Sequence, residues 1–594
     1  MVGNKQVFTC FFYALKAYIM YIIRIGVIII NIIERTYNIN EANKIAKKHN
    51  INIDIVKFLL ARGIEEDTML LLLSKENIPM LPNDSLTNVD KAATLINKYL
   101  RGDNSNIYIF GDYDSDGVNA TYIMYNALVE LAEAIESNVT INYYLPERTE
   151  GYGLNMEWCK SIIGLDNTLV VTVDNGITKK EEVEFLKSNN VEVIITDHHQ
   201  PQQGLVPKCM IVDAHYNNDD INGKGLCGAA VAYKVIAYLY QDIYEYDFMY
   251  VQKYIAHACI ATITDMMPFT DENITFVSNG LKCLNDYPYE GLEYAPVTES
   301  MYYFAEMNKG AGLKPKDIAF GFGPQINSCG RMGSIDVAMK FMLGSDTDEL
   351  TSTFKEMDSL NEERKAQTKV ATASIEPPAL TDLALVARVS NAEGIVGSIA
   401  TNLCATYNMP TIIFTETNDE FMSGSARCPE GYNLQTLFNN TKHVVFFGGH
   451  SGAAGITIKT KDYDKFVKSF NKAVSKVPVE VTVADTVVVD RIITESDINK
   501  NFINKYDNIL FFNEFTRPVY GLKNVQIVDY HTSKNNPNNI CFHIKNKSKE
   551  IKVWCWGYGN TYKAMGEPKL VDMVGTLEVF NGMYVIDIHN IEAV

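Results

Sequence analysis

Residues 106–117 read NIYIFGDYDSDG, a short apolar run that breaks off into three carboxylates, Asp112, Asp114 and Asp116, set among glycines. An apolar run of roughly four to eight residues bounded by turn residues fits a strand buried on both faces. The pattern recurs along the chain. LVVTV (169–173) runs into Asp174-Asn175-Gly176, VEVIIT (191–196) into Asp197-His198-His199, and YIAHACIATIT (254–264) into Asp265. Longer stretches with helical apolar spacing separate the runs, which is the rhythm of βαβ units around a parallel sheet. The expectation is an α/β lobe in which each motif, Asp265 included, stands at the C-terminal end of a strand. Open α/β sheets present their ligands at that edge.

A sheet whose strand ends repeatedly deliver Asp and His builds a cation site. The donors are carboxylate oxygens with one or two imidazoles and no thiolate, which suits a hard divalent ion, manganese first and magnesium second. Two such ions about 3.5–4 Å apart can clamp a phosphoryl group and activate water. Singly, each motif has an ordinary explanation: an isolated Asp-x-Asp is often a turn or a helix cap, and a His pair can be solvated. Their joint occurrence, each after an apolar run, carries the reading.

The four motifs, in this order, resemble motifs I to IV of the DHH phosphoesterase family, and the likeness extends to its RecJ-like single-strand-specific exonucleases. ERTEGYGLN (147–155) resembles the family's substrate-side loop, GLCGAAVAYKV (225–235) its glycine-rich helix entry, and FGFGPQINSCGRMGSIDVA (320–338) its Pro-Arg-x-Asn-Ala-x-Gly-Arg segment. Further on, GIVGSIATNL (394–403), SGSAR (423–427) and FGGHSGAAGITI (447–458) resemble the DHH-associated domain. The resemblance implies Asp114, Asp116, Asp174, His198 and Asp265 as ligands of two divalent cations, with Asp174 the bridge. It makes His199 and Asp112 catalytic neighbours: His199 as a hydrogen-bond donor to the scissile phosphate, Asp112 as an orienting group or a plain strand-end cap. Substrate contacts are implied for Arg148, Asn327, Arg331, Ser425, Arg427, Gly449 and His450, where guanidinium suits phosphate and glycine lets backbone approach it.

The activity so implied is metal-dependent hydrolysis of single-stranded DNA from 5′ to 3′, releasing mononucleotides by attack of a metal-activated hydroxide in a groove that admits one strand. A family phosphodiesterase of short oligonucleotides or cyclic dinucleotides is the enzymatic alternative. A non-catalytic binding module, as in replication factors that resemble the family but have lost ligands, fits poorly with an intact metal set. Single-stranded DNA is the implied partner, with a single-strand-binding protein or a helicase beside it. Two departures bear on substrate affinity rather than hydrolysis: Gln325 stands where members often carry Arg, and Asn391-Ala392 where they carry Trp-His.

Working outward, 594 residues with 47% hydrophobic and 21% charged side chains suffice for several globular domains. The divisions expected are an apolar N-terminal segment (1–45), the catalytic lobe (46–340), a connecting helix (341–378) that stops before Pro377-Pro378, a DHH-associated α/β lobe (379–476) and a β-rich domain (477–594) resembling the oligonucleotide-binding OB fold. In the last, Trp554, Trp556 and Tyr558 are candidates for stacking on bases or for barrel core. Eleven cysteines without a CxxC pair argue against a disulfide partner and zinc knuckles and for a reducing, cytoplasmic compartment. A net charge of −19 requires any nucleic-acid groove to be locally basic. Val7 to Ile33 is almost continuously apolar, with Lys16 and Arg24 its charges. It reads as a buried or partner-docked helix, or an upstream extension of the start, ahead of a membrane anchor, because Arg24 at mid-span would cost about 2.5–3.5 kcal/mol.

Overall fold

The computed structural model describes residues 31–286, 296–308, 312–379, 382–416, 420–449, 451–477, 486–534, 536–546, 549–580 and 582–594. They fall into two compact units, one of Leu70–Lys365 with Leu510–Thr516, the other of residues through Met69 with Ala366–Ile509 and Arg517–Val594. Among the described residues the first element of the second is β1 (Asn31–Glu34).

The first unit is built on five parallel strands, β2 (Asn106–Phe110), β3 (Thr140–Tyr144), β4 (Thr168–Val173), β5 (Val191–Thr196) and β6 (Met210–Val212), in the order β3-β2-β4-β5-β6. The order of winding reverses between β2 and β4, and the crevice beyond such a switch point is where doubly wound sheets bind ligands. Every residue of β4 is buried, which explains why TLVVTV carries no polar alternation. Phe110, Val170, Val193 and Ile195 pack with Trp158, Leu186 and Ile211 in one core.

The Asp265 run departs from expectation. Residues Ile255–Thr264 form a helix, not a strand, with Asp265 at its C-cap. A run of ten almost wholly buried residues has no polar face to set a period, so its sequence cannot separate a buried helix from a buried strand. The helix packs against those of Ser115–Ala134 and Asp271–Asn285. Leu510–Thr516, far along the chain, also belongs here: Asn513 Nδ2 donates to the carbonyls of Thr262 and Met267 at 3.1 and 2.8 Å, and Phe515 stacks on Phe269 at 4.4 Å.

In the second unit a mixed sheet comprises β7 (Leu385–Arg388), β8 (Thr411–Glu416), β9 (Phe421–Arg427), β10 (Val444–Gly449) and β11 (Ala453–Lys459), ordered β10-β11-β9-β8-β7. Ile412 and Phe414 bury one face against Phe466 and Phe470, while Ile413 buries the other against Ile399 and Leu403. The remaining strands are β12 (Thr486–Val489), β13 (Arg491–Ile493), β14 (Val519–Thr532), β15 (Ile540–Asn546), β16 (Lys549–Cys555), β17 (Leu570–Phe580) and β18 (Met583–Ala593). Five of them run β14-β15-β16-β18-β17, and a β14–β17 pairing closes the ring into a barrel, which removes the sheet edges.

Most of the N-terminal apolar stretch, residues 7–30, lies outside the described residues. Its last three residues are not helical: Ile32 and Ile33 belong to β1, which pairs in parallel with β12, and Ile32 is buried with Val489 and Val574. Arg35 and Arg62 both bind Asp490, Arg62 through Nε at 2.8 Å and Nη2 at 2.5 Å. Among the described residues no helix is long and apolar enough to cross a membrane.

Candidate metal centre

The backbone at the end of β2 is arranged by glycine and by capping. Asp114 caps the Ser115–Ala134 helix, accepting from the Gly117 amide at 3.0 Å. A Cβ on Gly117 would stand 2.6 Å from Asp112 Cβ and from its carbonyl oxygen, so only glycine lets the turn fold back on itself. Asn327, on the helix Gly323–Arg331, accepts from the Ser115 amide at 2.7 Å. Gly330 on that helix would put a Cβ 2.1 Å from the Tyr113 carbonyl oxygen, so the helix seats directly on the aspartate loop.

Asp174, at the end of β4, has a left-handed backbone (φ 61°), a conformation that costs energy for a residue with a side chain and gathers at functional sites. Neighbouring contacts hold it there. Its amide donates to the Thr196 carbonyl at 3.0 Å, Tyr152 Oη donates to the Asp174 carbonyl at 2.9 Å, and a Cβ on Gly228 would lie 2.5 Å from Asp174 Cβ. Asn175 donates to the carbonyls of Phe110, Gly111 and Val173 and so ties β2 to β4. Asp116, buried, accepts from the amides of Gly228 and Ala229 at 2.7 Å each, at the N-terminus of the helix Gly228–Tyr238. Such amides favour an anion.

These elements bring Asp112, Asp114 and Asp174 together, with one oxygen of each within 4.8 Å of the others. A second group joins Asp116, His198 and Asp265, and a third Asp174, His198 and His199, within the same distance. Asp174 and His198 thus each belong to two groups. His198 Nε2 lies 3.1 Å from Asp174 Oδ1, 3.6 Å from Asp116 Oδ2 and 3.8 Å from Asp265 Oδ2. The residues fit divalent cations on two counts. Among the described residues the buried Asp112 Oδ1 has no hydrogen-bond partner, and the buried Asp174 Oδ1 faces only the His198 imidazole at 3.1 Å, a costly state that a cation relieves. Burial, then mutual repulsion, pushes the Asp112 and Asp174 carboxyls well above the usual range and Asp116 to about 6. Cations among them restore the charged forms. Burial and the neighbouring His199 charge push His198 down to about 3, leaving the neutral imidazole a metal needs.

His199 differs from His198. Its Nδ1 lies 2.8 Å from Asp197 Oδ1 and 3.0 Å from Tyr152 Oη. Burial opposes its charge, yet the Asp197 carboxylate holds it up at about 9. Burial likewise opposes the Asp197 charge, but His199 and the Ile177 amide keep it at about 2. The motifs alone assign no role to Asp197, Asn175 or Tyr152. The first two adjoin named motif residues and were legible as motif members; Tyr152 sits in the 147–155 segment without a signal of its own.

Of the proposed substrate residues, Arg148 lies with its guanidinium 4.4 Å over the Tyr113 ring, beside the aspartate loop, and Arg331 ends the helix seated on that loop. Gln325, at the first departure from the family pattern, donates to Asp358 at 3.1 Å, and Ala392, at the second, is fully buried. Ser425 and Arg427 are neighbours on β9, where Arg427 Nη1 donates to Ser425 Oγ at 2.8 Å. Gly449 ends β10 with φ 132°, and its Cβ would meet the Ala453 carbonyl oxygen at 2.6 Å. His450 lies outside the described residues.

Three family models match in succession: the DHH family N-terminal domain over residues 106–263, the DHHA1 domain over 382–476 and the RecJ OB domain over 489–588. The chain is similar to the DHH phosphoesterases and carries the domain series of their RecJ branch. It is 26% identical over 535 residues to the single-stranded-DNA-specific exonuclease RecJ of Bacillus subtilis, an alignment spanning 88% of this chain and 65% of that protein. It is 23% identical over 574 residues to a putative single-strand DNA-specific exonuclease, YorK, of Bacillus phage SPbeta, covering 89% of this chain and 93% of that one. The crystal structure of RecJ from Thermus thermophilus in complex with Mn2+ superposes with a TM-score of 0.75 at 20% identity, over 95% of this chain and 79% of that one.

Proposed function

We propose that this protein is a divalent-cation-dependent exonuclease of single-stranded DNA, acting from the 5′ end and releasing mononucleotides. The observation that carries the reading is the convergence of Asp112, Asp114, Asp116, Asp174, His198 and Asp265 at the switch point of a parallel sheet, in a chain that also carries a RecJ OB domain. The RecJ relatives and the manganese-bound structure from Thermus support it.

In this reading Asp112, Asp114 and Asp174 would hold one ion and Asp116, His198 and Asp265 the other, with Asp174 near enough to His198 to serve both. Asp112 thereby becomes a ligand rather than an orienting group, its buried Oδ1 having no hydrogen-bond partner among the described residues. Two divalent cations, manganese first and magnesium second, would supply charge neutralisation at the phosphate and acidify an attacking water. Around them the protein's own groups divide the work. Asp197 fixes His199 through Nδ1, leaving Nε2 to donate to a phosphate oxygen, and Tyr152 supports both His199 and the Asp174 backbone. Arg148 and Arg331 bind phosphates, while Asn327 acts through the Ser115 amide that it holds. Ser425, Arg427 and Gly449 are proposed contacts for the strand, which a single-strand-binding protein or helicase would present.

The test is digestion of a long 5′-labelled single strand beside a dinucleotide, a cyclic dinucleotide and a duplex, with and without manganese. Labelled mononucleotide should appear from the long single strand alone, and only with metal. Faster cleavage of the dinucleotides would instead establish the small-substrate phosphodiesterase, and metal-independent cleavage would remove the centre from the mechanism.

A further inference from the structure

The outer face of the closed barrel holds a second cluster of side chains able to ligate a metal, of different chemistry from the first. His531 on β14 pairs across the ladder with Cys541 on β15, and His543 follows two residues later on the same face of β15. One ligand atom of each lies within 4.8 Å of the other two. Cys541 is fully buried although it belongs to the outward series with the exposed Lys545, while His531 is exposed. His531 Nδ1 and His543 Nε2 are 3.0 Å apart. Two nitrogens on a tetrahedral ion with bonds of about 2.0–2.1 Å lie roughly 3.3–3.4 Å apart, so little movement is required. The other nitrogen of His543, Nδ1, lies 2.6 Å from Glu550 Oε1 on β16. A carboxylate behind a histidine in this way fixes the tautomer that presents Nε2 to a metal. Trp554 meets the His531 ring edge-on at 5.3 Å and stacks on Trp556 at 5.6 Å, holding the imidazole in place.

We propose that His531, Cys541 and His543 form a zinc-class site with three protein ligands and a fourth position open to water, in which Glu550 orients His543. Two imidazoles and a thiolate are borderline-soft donors, selective for zinc-like ions over the manganese or magnesium suited to the oxygen-rich centre. Binding releases the Cys541 thiol proton to solvent and pins β14 to β15 beside the tryptophans.

Cobalt(II) is the probe, added to the full-length, chelator-stripped chain. A thiolate-to-cobalt charge-transfer band in the near ultraviolet should appear and be abolished by zinc. The acidic centre has no cysteine in its ligand groups and gives no such band. Asp174→Ala should keep the band, as should Cys227→Ser, which removes the cysteine next to the Gly228 amide that Asp116 accepts from, whereas Cys541→Ser should lose it. Glu550→Gln should weaken cobalt binding about 10–100-fold. His531→Ala, at an exposed position, provides a variant that does not disturb the core and should lose the tetrahedral spectrum. No charge-transfer band at millimolar cobalt, a band that survives Cys541→Ser, or a spectrum unchanged in His531→Ala overturns the proposal.

Discussion

Asp174 is the residue on which the centre turns. It is shared between two candidate ligand groups, has a backbone conformation held by three neighbours, and turns a buried oxygen to the His198 imidazole. Asp174→Ala should therefore lower manganese-dependent hydrolysis below about a tenth of wild type, because like charges then face one another with no shared counter-ligand. Turnover above that level with an unchanged melting curve would take Asp174 out of the centre. His199→Ala should behave differently, cutting turnover while manganese occupancy, read by calorimetry, stays close to wild type. A pH effect belongs to another histidine. His257, fully buried between Asn119 Oδ1 (2.8 Å) and Thr298 Oγ1 (2.9 Å), is pushed down to about 3 by burial. Below pH 6.5 the unfolded chain takes up a proton that the folded one refuses, so stability falls as pH drops from 6.5 towards 3, by up to ~1.4 kcal/mol per unit. Denaturant titrations of wild type and His257→Gln across that window check this: the variant should show the shallower dependence, and parallel curves refute it.

Among the elements, β1 is the one whose position changes how the chain can be cut. It completes a two-stranded parallel ladder with β12 and buries Ile32, and beyond it Arg35 reaches Asp490, which Arg62 also binds. Removing residues 1–30 should leave nuclease activity close to wild type, since every proposed ligand lies beyond residue 110. Removing residues 1–38 takes β1 and Arg35 as well, uncovering the β12 edge and leaving a cavity where Ile32 stood. That should cost on the order of 2–5 kcal/mol, read as a lower urea midpoint. Equal midpoints for the two truncations would show that β1 contributes nothing.

For the whole molecule, affinity and chemistry should separate. A net charge of −19 leaves little room for binding by charge alone, so stacking on aromatic side chains is the expected grip on a strand. Deleting the chain after residue 477 would be a poor test, because Leu510–Thr516 belongs to the unit that holds the metal centre. Trp556, 39% exposed and stacked on Trp554, gives a cleaner one. Trp556→Ala should weaken binding of a long single strand by about 1–3 kcal/mol while leaving dinucleotide cleavage unchanged, measured as KM against kcat on the two substrates. Equal losses on both would make Trp556 structural.

The sequence by itself marked the carboxylates and imidazoles that the fold gathers, and their order, because each motif but one is a short local event: an apolar strand, a stop, and a carboxylate or imidazole at the exit. Asp112 to Asp116, Asp174 and His198-His199 were legible for that reason, as was the βαβ rhythm that puts their strands in one sheet. Asp265 was legible as a donor and not as a helix C-cap, since a wholly buried run has no period to read. Tertiary structure alone decided the rest. That Asp116 is clamped by amides at Gly228 and Ala229, that Leu510–Thr516 packs beneath Thr262 and Met267, that β14 meets β17 to close the barrel, and that His531 faces Cys541 are pairings across long sequence separations. They are set by which buried surfaces and backbone groups find complements in the folded chain, and local periodicity carries no record of that choice.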